Sequence, residues 1–107
     1  MPDTQLLTDA ITNKKCVTAT YNGVEMILAP HALYTKHDAT FIDAITLSRD
    51  GQPPREKKLG SFNISGLKSL ALSAQDFDTD RLFDRTLAKY VAVTLCMVER
   101  ATFRSAR

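Results

Sequence analysis

The spacing of apolar and polar positions changes period several times along the chain, and each change marks an element. Leu6, Leu7, Ala10 and Ile11 recur at helical spacing and share one face; Asp3 or Thr4 can cap this helix, and Asn13, which tolerates the left-handed conformation, is its expected stop. From Val17 the period is two, with Val17, Ala19 and Tyr21 alternating against Thr18 and Thr20 as in a half-buried strand. Asn22-Gly23 follows. Both central residues of a tight hairpin turn need positive φ, so this dipeptide predicts a hairpin into a second strand over residues 24 to about 34. Pro30 has no N–H to give to a ladder and predicts a bend, a bulge or a sheet edge within that strand.

Residues 35–38 read as a polar turn, and residues 39–48, rich in β-branched and aromatic side chains, as a third strand. Asp50-Gly51 then predicts a turn, Pro53-Pro54 a stiff extended dipeptide, and residues 55–64 a fourth strand. Gly66 breaks it. Leu67, Leu70 and Leu72 read as one helical turn running into a short fifth strand. Further on, Asp78-Thr79-Asp80 can cap a C-terminal helix whose Leu82, Phe83, Thr86 and Leu87 share a face and which ends near Lys89. Residues 90–98 could prolong that helix or form a strand, and their β-branched content (Val91, Val93, Thr94, Val98) favours the strand. Short strands at this spacing imply a mainly β fold, a small five-stranded barrel behind a short N-terminal helix, with a C-terminal helix plus strand.

At 107 residues the chain is the size of one domain, with a core large enough to need no metal or disulfide staple. Residues 1–75 are expected to form the barrel, and residues 76–107 an extension packed on it or on a partner chain. No run of about 18 apolar residues is present, so no membrane span is expected. The first residues are acidic where a secretory signal would be basic, which makes a cytoplasmic location the expectation. Cys16 and Cys96 lack the C-x-x-C spacing and are expected as free thiols. The net charge is only +2, but its distribution is uneven: residues 1–50 hold four bases and six acids, and the remainder ten bases and six acids. An anion site should therefore draw on the second half.

Catalytic and metal signatures are weak. Asp76, Asp78 and Asp80 mimic the start of a calcium loop, but its glycine position is Arg81 and its closing glutamate position is Leu87. His31, His37 and Cys16 offer no fourth zinc ligand, and neither Ser61 nor Ser65 sits in a nucleophile elbow. The expectation is a binding module that is not an enzyme and takes no metal or cofactor. Phe41 and Phe62 fit core positions, whereas Tyr21 and Tyr34, each near a turn and polar at the tip, fit a stacking surface as well as a core.

Several residues stand in an order that resembles a known family. They are Ala10-Ile11 ahead of Lys14-Lys15, Tyr21 closing the first strand, Pro30-His31-Ala32-Leu33 in the second, Thr40-Phe41-Ile42 with Ala44 in the third, and Phe62-Asn63-Ile64-Ser65-Gly66-Leu67. Over residues 6–72 the chain resembles a WYL domain, the ligand-sensing module usually found behind a winged helix in bacterial transcription regulators. The resemblance implies an Sm-like, SH3-type barrel of five strands behind a short helix, and a regulatory, effector-binding role. The family's naming Trp-Tyr-Leu is Thr40-Phe41-Ile42 here, and two arginines thought to face its ligand fall on Met26 and Gly66. The predicted helix begins at once, so a sensing module without the helix-turn-helix is expected.

The function expected from these readings is non-enzymatic binding of an anionic effector, a nucleotide or a short single-stranded nucleic acid, in transcriptional regulation. Arg55, Lys57, Lys58 and Lys68 are the expected phosphate contacts, and Tyr21, His31 and Tyr34 the expected pocket lining. The alternative is a protein-interaction or self-association module with no nucleic-acid ligand. A homodimer is expected if the β-prone residues 90–99 pair with a second copy, and not if they pair within the chain.

Overall fold

A computed structural model of the chain describes residues 2–36, 38–80, 82–83 and 94–98, with side chains for all of these except 2–3 and 94–97. The order of elements is α1 (Pro2–Asn13), β1 (Lys15–Tyr21), β2 (Val24–Lys36), β3 (Ala39–Arg49), β4 (Leu59–Asn63), a 3-10 turn (Ile64–Gly66), β5 (Leu67–Asp76) and β6 (Thr94–Met97). The fold is mainly β: one antiparallel sheet in the order β4-β3-β2-β1-β5, plus the N-terminal helix. Among the described residues β4 and β5, the ends of this path, do not pair with each other, so the sheet is open there. The expected C-terminal helix over residues 80–89 falls largely outside the described residues.

Helix α1 lays Leu7, Ala10 and Ile11 onto the sheet, all fully buried, as their spacing predicts. Its stop is one residue later than expected. Asn13 stays helical, its side-chain amide donating to Asp9 O at 3.0 Å, and Lys14 takes the left-handed conformation at φ 53°. The Asn22-Gly23 hairpin forms as predicted, with φ 52° and 78° and Tyr21 opposite Val24. Asp50-Gly51 makes a second such turn, with φ 51° and 82°, and Arg49 and Gln52 exchange both backbone hydrogen bonds across it.

Strand β2 organises the sheet. One edge pairs with β3 over nearly its whole length; the other pairs with β1 through Val24–Leu28 and with β6 through 32–34. At the junction the β2–β3 register shifts between Pro30 and Ala32, leaving His31 as the extra residue of a bulge. Pro30 thus sits where a missing donor costs no regular ladder bond. Seven consecutive residues, 28–34, are buried, because the helix and the segments after β5 cover what a sheet facing water on one side would expose. Buried apolar side chains form one large cluster, including Leu28, Leu33, Ile42, Phe62 and Phe83, and a small one of Cys16, Ala29 and Ile45.

Two predicted strand limits are corrected. Residues 55–58 are not strand: Arg55-Glu56-Lys57-Lys58 has no apolar alternation to bury and lies exposed ahead of β4. The helical turn falls before Leu67, not after it, since the Asn63 side-chain oxygen accepts Ser65 N–H at 3.0 Å and caps a 3-10 turn at Ile64–Gly66. Leu67 is already extended and opens a ten-residue β5. Finally, Thr94–Met97 pairs with β2 of its own chain, the intramolecular alternative, through Thr94, Cys96 and Met97.

Candidate ligand-binding site

Two of the three residues expected to line a pocket are buried. Tyr34 is 3% exposed, and its hydroxyl donates to Asp43 Oδ1 at 2.7 Å, an oxygen that also accepts Ser61 Oγ–H at 2.6 Å. Phe41 stacks on the Tyr34 ring at 5.9 Å. His31 is fully buried between Phe77 and Phe83, with ring centroids 5.0 and 5.4 Å away. Its Nε2 accepts Asp80 N–H at 3.0 Å, which puts the ring proton on Nδ1, 2.8 Å from the Ala29 carbonyl it donates to. Neither residue offers a face to a ligand. Tyr21, the third, is partly exposed, with the edge of its ring against Phe62 at 5.1 Å; Gly66 has no Cβ because one would lie 3.0 Å from that ring.

The four expected cations do not form one patch. Lys57 donates to Asp80 Oδ2 at 2.8 Å, and Lys68 to the Ser65 carbonyl at 3.2 Å. Arg55 and Lys58 are exposed in the segment between β3 and β4. The three aspartates that mimic a calcium loop are each matched to a different lysine: Asp76 to Lys15, Asp78 to Lys14 and Asp80 to Lys57. They fasten the end of β5 and the segment after it to the α1–β1 junction and to the β3–β4 connection, with Phe77 N–H also donating to Lys14 O at 2.9 Å. Cys16 is free and buried under Phe77. Burial, reinforced by the Asp76 carboxylate, pushes its thiol above the ordinary value, which disfavours the thiolate.

Two open cavities have lining residues near the C-terminal end of β3. The smaller, of about 240 Å³, is lined by Val24, Arg49, Asp50, Gln52, Pro53, Pro54 and Arg55. The turn at Asp50-Gly51 folds Gln52 back beside Arg49, and Pro53-Pro54 leads the chain on to Arg55, so both arginines line one cleft. The Asp50 carboxylate is committed to the backbone: Oδ1 accepts Glu25 N–H at 3.1 Å while Asp50 N–H donates to Glu25 O at 2.7 Å. The larger cavity, of about 400 Å³, lies over the β1–β2 hairpin.

Of the predicted contacts, Arg55 lines one of these two cavities, and Arg49 was missed. The signal for Arg49 was present, because a two-residue Asp-Gly turn fixes which residues face each other across it. The chain matches no protein-family model, and neither a curated protein nor a solved structure shows significant similarity to it.

Proposed function

We propose that the chain is a non-enzymatic, anion-binding sensor module of the WYL type, acting in transcriptional regulation with a nucleotide or short single-stranded oligonucleotide as effector. The observation that carries this reading is the pair Arg49 and Arg55 lining one cleft beside Gln52, with Asp50, the one carboxylate among its described lining residues, hydrogen-bonded to the backbone of Glu25. Guanidinium forks match phosphate oxygens in a way a lone lysine does not. The proline rings of residues 53 and 54 supply an apolar wall for a base or sugar. The strand order, with a 3-10 turn between β4 and β5 and a short helix ahead of β1, is the order expected of an SH3-type fold of this kind.

The test is a titration with a labelled oligothymidylate at two salt concentrations. Binding is expected to weaken with salt, with a slope of about −0.7 per phosphate contacted, and the slope is expected to shrink in R49A/R55A. No binding at low salt, or an unchanged slope in the double variant, would sink the reading.

A second reading rests on β5. Ten residues long at the end of the described path, this strand leaves Leu72 51% exposed, the most exposed large apolar side chain among the described residues. A partner strand added there would cover it, from another protein or from a second copy. Light scattering of wild type and Leu72→Lys separates the cases: a monomer for both removes self-association.

A further inference from the structure

The larger cavity opens on the other face of the sheet from the arginine cleft. Cross-strand partners share a face, and the ladders set Thr18 opposite Ile27, Thr20 opposite Glu25 and Ile27 opposite Ser48, so these five side chains stand together on one side of β1, β2 and β3. Val24 and Arg49, which line the cleft, are the strand neighbours of Glu25 and Ser48 and point to the opposite side. Ser69 of β5 completes the wall. Thr18, Thr20, Ile27 and Ser48 are half-buried, while Glu25 and Ser69 are exposed. The volume, about 400 Å³, lies in the range of small-molecule sites.

The backbone is distorted at one of these groups. The β1–β5 register shifts between Thr18 and Thr20, where Ala71 and Lys68 stand opposite, so β5 carries an extra residue there. Within that bulge Ser69 has φ 53°, a conformation a residue with a Cβ adopts at a cost, and it is the bulge residue that lines the cavity. Bulges re-aim a side chain, and a strained non-glycine residue on a cavity wall points to a use for its side chain.

Four hydroxyls and one carboxylate set the chemistry. No hydrogen bond or ion pair among the described residues engages the side chains of Thr18, Thr20, Ser48, Ser69 or Glu25. Each hydroxyl can both donate and accept, which suits a ligand rich in hydroxyl groups. Glu25 is the one ionised side chain among the described lining residues, and Lys68, opposite Thr20, sends its ammonium to the Ser65 carbonyl. The cavity therefore repels an anion and attracts a cation. With no aromatic ring among the described lining residues, polar contacts carry recognition, and the strongest one on offer is a charge-assisted hydrogen bond to Glu25. We propose that this cavity binds a small hydroxylated amine of the amino-sugar class, with its ammonium on the Glu25 carboxylate and its hydroxyls among Thr18, Thr20, Ser48 and Ser69. The assignment stands on this cavity alone and is independent of the anion reading of the arginine cleft.

NMR titration of the isotope-labelled wild-type protein with D-glucosamine, D-glucose and methylammonium tests both halves of the ligand, since glucose lacks the ammonium and methylammonium lacks the hydroxyls. Glucosamine is expected to shift the amide resonances of Thr18, Thr20, Ser48 and Ser69 and to bind about tenfold more tightly than either of the other probes, the equivalent of one charge-assisted hydrogen bond. Equal affinity of glucosamine and either other probe overturns the assignment. So does an absence of glucosamine binding, or a set of shifts that misses these four residues. Because these readouts use the wild-type protein, they do not depend on a variant folding. Glu25→Gln adds a direct check: it leaves the backbone N–H of residue 25 available to Asp50 and is expected to lower glucosamine affinity to that of glucose. Unchanged glucosamine affinity in this variant also overturns the proposal.

Discussion

His31 Nε2 accepts the backbone N–H of Asp80 at 3.0 Å, and the His31 carbonyl accepts Val98 N–H at 2.7 Å, so one bulged residue of β2 holds both C-terminal segments against the sheet. The bulge makes this possible. It takes His31 out of register with β3 and frees its polar groups for partners 49 and 67 positions along the chain.

Stability should therefore fall on acidification. Burial holds the His31 imidazole below its ordinary pKa, with Lys14 adding to the effect and the Ala29 carbonyl and Asp80 carboxylate opposing it. In the unfolded chain the ring titrates near 6.5. Below that pH the unfolded state takes up a proton that the folded ring excludes, so the contribution is full above about 6.5 and declines as pH falls toward the lowered folded value. Asp80 acts in a separate, more acidic window: its hydrogen bond to Lys57 holds the carboxyl below the usual range, so its contribution is lost only as pH falls through that value. The thermal midpoint of the wild type should drop between about pH 7 and pH 5, and His31→Gln, which keeps an acceptor but does not titrate, should flatten the profile. A wild-type midpoint that does not change over this range would contradict the account.

The Asp50 grip on Glu25 predicts a graded series. Asp50→Ala removes the acceptor for Glu25 N–H and places a less tolerant residue at φ 51°, for a loss of about 1–2 kcal/mol in denaturant unfolding. Asp50→Asn keeps both the acceptor and the left-handed tolerance and should be close to neutral. Because this turn carries Arg49, the alanine variant should also bind phosphate more weakly than the asparagine variant.

Tyr34→Phe should separate stability from binding. The lost hydroxyl leaves a buried carboxylate with one donor fewer, a cost of about 1.5–3 kcal/mol for a hydrogen bond to a charged group. Affinity for oligothymidylate should not change, since the ring and hydroxyl are buried. A Tyr34→Phe variant as stable as wild type but weaker in binding would return Tyr34 to the ligand surface.

Among the basic residues of the β3–β4 connection, Arg55→Ala should weaken oligonucleotide binding more than Lys57→Ala does. Lys57 is already occupied by Asp80, and because its own side chain is 60% exposed its removal should change stability by about 1 kcal/mol or less. Side-by-side titrations at low salt check the order, and the reverse order would place the phosphate nearer Lys57 than the arginine cleft.

Much of this was legible in the residues themselves. Turns at Asn22-Gly23 and Asp50-Gly51, the buried face of Leu7, Ala10 and Ile11, and the irregularity at Pro30 follow from constraints that act over a few positions: φ tolerance, helical spacing and a missing donor. The same local rules explain the placement of the 3-10 turn once Asn63 is taken as its cap. What sequence could not decide was which groups would be used up by distant partners. Lys14 and Lys15 meet Asp78 and Asp76 across separations of 64 and 61 residues, and Lys57 meets Asp80 across 23; nothing local to a lysine says whether an aspartate will arrive. Period-two alternation gives a strand two faces without saying what covers each. Only the packing of Phe77 and Phe83 over β2 made His31 a core residue, and only the turn at Asp50 brought Arg49 and Arg55 to one cleft. Short-range sterics thus determined the elements, and the long-range pairing of charges and aromatic rings decided which side chains were left for a ligand.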